Sequence, residues 1–242
     1  MKKTISLFLA LLMALSLMVI SAGAEGYTPF TDIGGLDDYT QSNIEYLYVM
    51  EIMKGTSDTT FSPDALYTRA MFVTMLGRTE GIDPSDYPGT NFKDVSAGNW
   101  AAPYINWAAQ NGIVNGVGDG KFNPNGIITM EQYCTIICRY MDAKALSFNC
   151  DSTGSWPPHV YDLDDASSYA KQYVQYMVEN NMTDFYRLDE SDTAGVYVEP
   201  KHEMDRAEIA FCYGDFYYIL ESGDSVDWDF GYAQVSTSMS FG

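Results

Sequence analysis

The stretch that decides the fold is residues 92–133, which read FKDVSAGNWAAPYINWAAQNGIVNGVGDGKFNPNGIITMEQY. Apolar residues three and four positions apart predict one helix after Trp100 and a second helix after Thr129. These apolar positions are Ile105, Ala108 and Ala109 in the first helix and Tyr133, Ile136, Ile137 and Tyr140 in the second. The first helix stops at Asn111-Gly112 and a glycine-rich loop follows, so the stretch predicts one helix–loop–helix unit.

The same unit recurs upstream at a constant offset of 61 residues. The identical pairs are Ile44 and Ile105, Gly55 and Gly116, Phe61 and Phe122, Pro63 and Pro124, and Arg78 and Arg139. A third, looser copy begins near Tyr161, where Asp162 corresponds to Asp94 and Tyr169 to Trp100. Repetition at a fixed spacing indicates an array of similar units rather than a single irregular domain.

These motifs resemble the S-layer homology family, whose units carry an F-x-D-V opening, a tryptophan at a helix start, a G-x-G-x-F-x-P loop and an I-T-R-A-E helix entry. The matching segments here are FTDI at 30–33, FKDV at 92–95, GDGKFNP at 118–124, TRA at 68–70 and RAE at 206–208. The resemblance implies an all-α fold. In that fold, three helix–loop–helix repeats pack as a pseudo-threefold array around a central helix bundle.

We expect five segments along the chain: a signal peptide at 1–24, repeats at 28–81, 90–142 and 159–221, and a C-terminal tail at 222–242. The third repeat is divergent and carries an insertion near 183–199. Lys2 and Lys3, a short apolar run and Ala22-Gly23-Ala24 are typical of a secretory signal peptide. A membrane anchor is the alternative, but the run from 5 to 20 is short for a bilayer core of about 20 residues.

Composition narrows the classes of partner. Cleavage after Ala24 removes two lysines and leaves 33 acidic residues against 11 basic ones, a net charge of −22. Such a chain is unsuited to nucleic acid, whose phosphates require basic surface, and it disfavours anionic membranes. We therefore expect a secreted protein with a solvated acidic surface and no membrane insertion after cleavage.

Catalytic and metal motifs are missing from the sequence. His159 and His202 lie in no hydrolase or zinc pattern, and a calcium loop at 119–123 fails because Lys121 replaces an oxygen ligand. We expect no cofactor, no metal and no enzyme, with a carboxylate glycan hydrolase as a weaker alternative. The cysteines favour buried free thiols, although secretion also permits a disulfide; they are Cys134, Cys138, Cys150 and Cys212.

Aromatic residues at the start of each opening helix are the first candidate ligand contacts. Tyr39, Trp100 and Tyr169 occupy this place in the three units. An aromatic face suits the C–H face of a sugar ring. The alternative is that each aromatic simply closes the packing of a helix pair, and recurrence does not separate the two.

Arginines at the entry of the second helix are the second candidates. Arg69 and Arg206 match the family motif, whereas unit two has Met130. The resemblance implies that such arginines grip the acidic ketal groups of a pyruvylated cell-wall polysaccharide, with an aspartate orienting each of them. The aspartates are Asp32, Asp94 and Asp162. The alternative is an ion pair within the unit, between the arginine and Asp32 or Asp162.

Gly55 and Gly116 are the third candidates, because a loop glycine allows backbone to approach a ligand or permits a turn with positive φ. Unit three has Phe185 nearest that place, so we expect fewer than three competent grooves. We expect no cargo segment after the third unit; together with Met130 and the insertion, this keeps open a second hypothesis of surface protein–protein assembly.

The resemblance implies a protein that binds secondary cell-wall polysaccharide non-covalently, in the cell wall or S-layer of a bacterium. The net charge opposes this, because it repels an anionic polymer over about 8 Å at physiological salt. Three solutions stay open at this point: local arginine pairs, bridging divalent ions, or a less charged glycan.

Overall fold

The computed structural model describes residues 28–146, 159–180, 182, 187–188 and 195–222. The predicted signal peptide, Cys150, Phe185 and the tail beyond 222 lie outside the described residues. We refer to residues 28–81 as unit one, 90–142 as unit two and 159–221 as unit three.

Six α-helices dominate the described residues and confirm the all-α prediction. They are α1 Asp38–Val49 and α2 Arg69–Thr79 in unit one, α3 Ala102–Gln110 and α4 Met130–Ala143 in unit two, and α5 Lys171–Glu179 and α6 Arg206–Ser222 in unit three. Short 3-10 turns occupy Pro84–Asp86 and Leu163–Asp165. None of these described helices has both the length and the apolar character needed to cross a membrane.

Local capping explains where several helices begin and end. The Asp37 carboxylate accepts hydrogen bonds from the Tyr39 and Thr40 amides at the start of α1. The Thr68 hydroxyl accepts from the Met71 amide and caps α2, as the sequence predicts. Helix α3 ends at Gln110, and Gly112 follows with a φ of +72° that favours glycine.

The second helices of the three units, α2, α4 and α6, meet at the centre of the molecule. Phe72 and Tyr133 hold equivalent positions on α2 and α4, and their ring centroids lie 5.5 Å apart. Tyr213 of α6 approaches Phe72 edge-on at 6.4 Å and is fully buried. The aromatic-rich last helix therefore sits centrally, because only a core position covers so many of its rings.

The closest helix packing runs between units rather than within them. Helix α2 packs on α3, α4 packs on α5, and α6 packs back on α1. We expected three helix pairs around a shared axis; the structure instead pairs the last helix of each unit with the first helix of the next. The interfaces between units thus carry much of the core.

Backbone hydrogen bonds close this cycle at one end of the array. The Tyr67 amide donates to the Met204 carbonyl at 2.9 Å, the Met204 amide to Ile128 at 3.0 Å, and the Ile128 amide to Tyr67 at 2.9 Å. Each segment precedes the second helix of its own unit. The ring gives the molecule its pseudo-threefold arrangement.

The described residues of unit three include a small sheet, and two of its three strands lie within the predicted insertion. Strand β1 (His159–Val160) pairs in parallel with β3 (Gly195–Tyr197), and β3 pairs antiparallel with β2 (Arg187–Leu188). The sequence predicted an inserted loop, and the structure shows that part of it extends and pairs. Alternating Val196 and Val198, both buried, explain why this segment joins the core.

Cys134 and Cys138 are buried free thiols, as expected. Burial raises the pKa of Cys138 to about 12. This thiol therefore stays protonated and unreactive at neutral pH.

Candidate functional site

Arg69 leaves its own unit and lies on the loop of unit two. Its Nε donates to the Phe122 carbonyl at 3.0 Å, and its Cζ lies 4.7 Å from the centroid of the Phe122 ring. Its Nη1 donates to Oε1 of Gln132 at 3.0 Å. A residue at the first position of α2 therefore forms part of a site on unit two.

Arg206 repeats this arrangement between unit three and unit one. Its Nε donates to the Phe61 carbonyl at 2.7 Å, and its Nη2 donates to the Lys54 carbonyl at 2.6 Å. Its Cζ lies 4.4 Å from the centroid of the Phe61 ring. The two arginines are thus equivalent in structure as well as in sequence.

Neither arginine forms an ion pair with an acid, although Arg69 interacts electrostatically with Asp94 and Arg206 with Asp32 of the neighbouring unit. Both are 6% exposed, yet their partners are carbonyl and amide oxygens, and neither forms an ion pair with a carboxylate among the described residues. The alternative of an ion pair within the unit, with Asp32 or Asp162, is therefore wrong. Burial lowers the pKa of Arg69 and of Arg206, but a guanidinium stays charged at physiological pH. Each of these guanidinium groups therefore carries a positive charge that no carboxylate contacts directly.

The three aspartates hold the loops. Asp32 accepts from the Phe61 and Ser62 amides at 2.8 and 2.7 Å. Asp94 does the same for residues 122 and 123, and Asp162 for residues 198 and 199. Burial opposes ionisation of Asp32, but these amide bonds outweigh it and lower its pKa.

Each aspartate secures a strained residue. Ser62, Asn123 and Glu199 have φ values of 59°, 59° and 49°, a region that costs non-glycine residues energy. Their amides donate to the aspartate of the same unit. The aspartates therefore stabilise the loop conformation on which the arginine of the neighbouring unit rests.

Groove one is an open cavity of about 390 Å³ along α4, and it brings residues from all three units together. Its lining includes Arg69 from unit one, Gly116, Gln132 and Arg139 from unit two, and Tyr169 from unit three. This volume is in the range of small-molecule sites. Three of the residues that the sequence singled out, an arginine, a glycine and an aromatic, thus share one groove.

Groove two is the equivalent place between unit three and unit one. Arg206 takes the place of Arg69, and Gly55 and Arg78 correspond to Gly116 and Arg139 at the offset of 61. Trp100 holds the place of Tyr169, and its side chain is 58% exposed. Such exposure is unusual for a tryptophan that serves packing alone, so this ring is available to a ligand.

The third equivalent position has lost its positive charge. Met130 replaces the arginine and is buried, while Asp215 stands where the other units have Arg78 and Arg139. The Tyr39 hydroxyl donates to Asp215, and the Tyr39 ring packs edge-on against Phe211 at 5.4 Å. Tyr39 therefore contacts its own protein here, and this third position resembles neither groove.

Gly55 and Gly116 are required for steric reasons. Neither Gly55 nor Gly116 has a positive φ, so the turn alternative is wrong for both. A Cβ on Gly116 would overlap the Lys121 carbonyl oxygen, and one on Gly55 would overlap the Phe30 ring. Glycine is required because the loop folds tightly on itself, and Gly116 lines groove one as a result.

Sequence reasoning missed Glu131, which follows the lost arginine. Glu131 is buried where the other units have alanine, and its carboxylate accepts from the Ser167 amide at 2.7 Å and from Lys201 Nζ at 2.7 Å. The Tyr169 hydroxyl also donates to it at 3.3 Å. Glu131 thereby fixes the aromatic of groove one; the available signal was a charged residue at an otherwise apolar repeat position.

Known proteins share these units. Residues 29–70 and 91–134 match the S-layer homology domain. The chain is 34% identical over 222 residues to an endoglucanase of Bacillus sp. (strain KSM-635). The matched region is 86% of this chain and 21% of the endoglucanase. It is 35% identical over 138 residues to a cell surface protein of Thermoanaerobacter kivui, covering 54% of this chain and 18% of that protein.

A surface layer protein of Brevibacillus choshinensis is 27% identical over 160 residues, covering 65% of this chain and 14% of that protein. The chain thus spans about a fifth or less of each of these relatives. The domain matches and the surface-protein relatives support a cell-wall anchoring role at the cell surface. Residues 29–70 and 91–134 of this chain are therefore S-layer homology domains.

Proposed function

We propose that grooves one and two bind secondary cell-wall polysaccharide non-covalently and thereby hold the protein on the bacterial envelope. The observation that carries this proposal is the pair of buried guanidinium groups, Arg69 and Arg206, neither of which forms an ion pair with a carboxylate among the described residues. We also propose that unit three is a divergent third repeat that completes groove one through Tyr169 and groove two through Arg206.

The chemistry suits an acidic sugar polymer. A guanidinium can hold a carboxylate by two parallel hydrogen bonds, which suits the carboxylate of a pyruvate ketal. Trp100 and Tyr169 offer ring faces to the C–H face of a sugar, and the Gln132 amide can bond to a hydroxyl. Ligand binding would supply each buried arginine with a carboxylate in direct contact, which it does not have in the protein.

The positive charge of the grooves can bind an anionic polymer even though the net charge of the protein is negative. A charge in a groove wall of low dielectric acts more strongly than the same charge on the surface, whereas the acidic field of the remaining surface is screened within about 8 Å. Arg69 and Arg206 are therefore expected to determine binding at contact. The net negative charge of the protein repels the polymer and slows its approach. Salt screens this repulsion, so the association rate should rise with salt concentration.

A sedimentation assay tests the proposal. The mature protein is mixed with purified envelopes, intact or stripped of polysaccharide, and the bound fraction is measured. The Arg69→Met plus Arg206→Met variant copies the residue that the fold already holds at Met130, so the helix entries should survive. We expect this variant to bind intact envelopes at least tenfold more weakly, and wild type to lose binding to stripped envelopes.

Lys171→Met is the matched control, because Lys171 is a partly exposed cation that pairs with Asp164 on the surface. This variant should bind as wild type does. Binding that ignores both the polysaccharide and the two arginines would overturn the proposal in favour of protein–protein assembly. Release of reducing sugar from the envelopes would instead indicate a glycan hydrolase.

A further inference from the structure

The chain places its arginines unevenly. It has five in total: Arg69 and Arg139 line groove one, and Arg206 and Arg78 hold the corresponding positions of the repeat at groove two. In a mature chain of net charge −22, this clustering concentrates guanidinium groups where the surrounding surface is acidic. The second arginine of each groove plays no part in the helix-entry motif.

In groove one the two arginines lie at opposite ends of one helix face. Gln132, Thr135, Ile136 and Arg139 follow each other at helical spacing along α4 and line the groove. Arg69 bonds to Gln132 at the first end, and Arg139 stands seven residues further on, about 10 Å along the axis. The groove therefore has a positive group at each end, with Thr135 and Ile136 between them.

Arg139 is held in position but not neutralised. Its Cζ lies 5.4 Å from the centroid of the Tyr173 ring, and its Nε donates to the Tyr173 hydroxyl at 3.4 Å. No carboxylate pairs with it among the described residues. An aromatic ring steadies a guanidinium without cancelling its charge, so the remaining N–H donors stay available to a ligand.

Comparison of the three equivalent positions shows that the helix-entry arginine and the second arginine are either both present or both absent. Groove two has both, and its second arginine, Arg78, is braced by the Ile52 carbonyl at 3.2 Å. The third position has neither, because Met130 and Asp215 occupy both places and Asp215 accepts from Asn43 at 3.2 Å. If Arg78 and Arg139 served packing alone, their loss would not need to accompany the loss of the helix-entry arginine.

We propose that each groove binds a glycan segment with two anionic groups about 10 Å apart, one at Arg69 or Arg206 and the second at Arg139 or Arg78. This inference rests on the proposed function and specifies its ligand. The second arginine selects an acidic group on a neighbouring residue of the polymer, so a glycan with one isolated acidic group should bind poorly.

The test is a calorimetric titration with wall polysaccharide released from purified envelopes, either intact or with its carboxylates capped as neutral amides. The Arg78→Gln plus Arg139→Gln variant should bind the intact polysaccharide about tenfold more weakly, as expected for loss of a charge-assisted contact. The Arg78→Lys plus Arg139→Lys variant keeps the charge and should bind within about threefold of wild type. With capped polysaccharide, the Gln variant and wild type should bind equally.

The outcomes separate this inference from the proposed function. If Arg69→Met plus Arg206→Met weakens binding while the Gln variant does not, the second contact is overturned and the anchoring function stands. If wild type fails to bind the intact polysaccharide, the proposed function falls as well. If the Arg78→Gln plus Arg139→Gln variant binds the intact and the capped polysaccharide equally weakly, Arg78 and Arg139 support the fold instead of contacting the ligand. The Lys171→Gln variant is the control for a general change in charge.

Discussion

Replacement of Glu131 by alanine should destabilise the protein more than the same change at any exposed acid. Glu131 is 3% exposed on α4, while the equivalent positions of the other units are Ala70 and Ala207. Its carboxylate accepts from the Ser167 amide and hydroxyl at 2.7 and 2.9 Å and from Lys201 at 2.7 Å. One side chain thus ties unit two to two segments of unit three.

The size of the effect follows from these contacts. A hydrogen bond to a charged group contributes about 1.5–3 kcal/mol, whereas an ion pair with an exposed lysine contributes about 0–1 kcal/mol. The Lys201 side chain is 55% exposed, so the two Ser167 bonds dominate, and relief from burying a charge offsets part of the loss. We expect Glu131→Ala to lower the free energy of unfolding by about 3 kcal/mol, or the melting temperature by about 6–12 °C.

The pH dependence gives a second check. Burial disfavours the ionised Glu131, but the hydrogen bonds from Lys201 and Ser167 outweigh it and lower its pKa below 4.5. Because the pKa of Glu131 is lower in the folded protein than in the unfolded chain, its carboxylate stabilises the fold fully at pH values above the unfolded-state pKa. This stabilisation is lost as the pH falls through the folded-state pKa. The difference in melting temperature between wild type and Glu131→Gln should therefore be constant near neutrality and shrink below about pH 4.

Thermal unfolding followed by circular dichroism measures both effects. Lys201→Met is the matched control, since it removes the exposed partner alone and should cost less than about 1 kcal/mol. Equal melting temperatures for wild type and Glu131→Ala at pH 7 would refute the reasoning. A loss in Lys201→Met as large as that in Glu131→Ala would do so too, because it would assign the energy to the exposed ion pair.

Three further substitutions have defined outcomes. Burial, assisted by nearby carboxylates, raises the pKa of Asp205 to about 6, so the folded state should gain stability as the pH falls from 7 towards 4. Asp205→Asn should abolish that gain in melting curves recorded across this range. Gly116→Ala should cost more than about 2 kcal/mol in urea unfolding because its Cβ would overlap the Lys121 carbonyl, whereas Gly98→Ala, which meets nothing, should stay within about 0.5 kcal/mol. Tyr133→Phe should stabilise the protein by about 1 kcal/mol in the same assay, since its buried hydroxyl has no partner among the described residues, and a loss would contradict this.

Features that repeat along the chain could be predicted from the sequence. Apolar spacing and the repeat offset located the helices of units one and two, and Thr68, which caps α2, is a residue type that helix starts favour. The aromatic residues crowded on the last helix exceed what one helix face needs, which fits its central place, where Tyr213 is fully buried. These features depend on periodicity and on local hydrogen bonding, both of which are visible in one sequence.

Relations between units could not be predicted in this way. Nothing in the spacing shows that Arg69 reaches the Phe122 carbonyl of the next unit, because that contact depends on how the array closes. Positive φ at Ser62 and Asn123 was also hidden, since neither residue type demands it and the aspartate bonds impose it. The grouping of an arginine, a glycine and an aromatic from three units in groove one depends on the same closure.

The backbone amide and the side chain at each helix entry have separate roles. The amides of Arg69, Met130 and Arg206 all donate to a carbonyl of the next unit, at 2.9, 3.0 and 3.0 Å. These bonds need no particular side chain, so the array closes equally well at all three interfaces. The guanidinium is an addition to that frame, present at two interfaces and absent at the third. The fold can therefore lose an arginine at one interface without losing the interface, so the role in ligand binding that we propose for the guanidinium groups is separate from the assembly of the units.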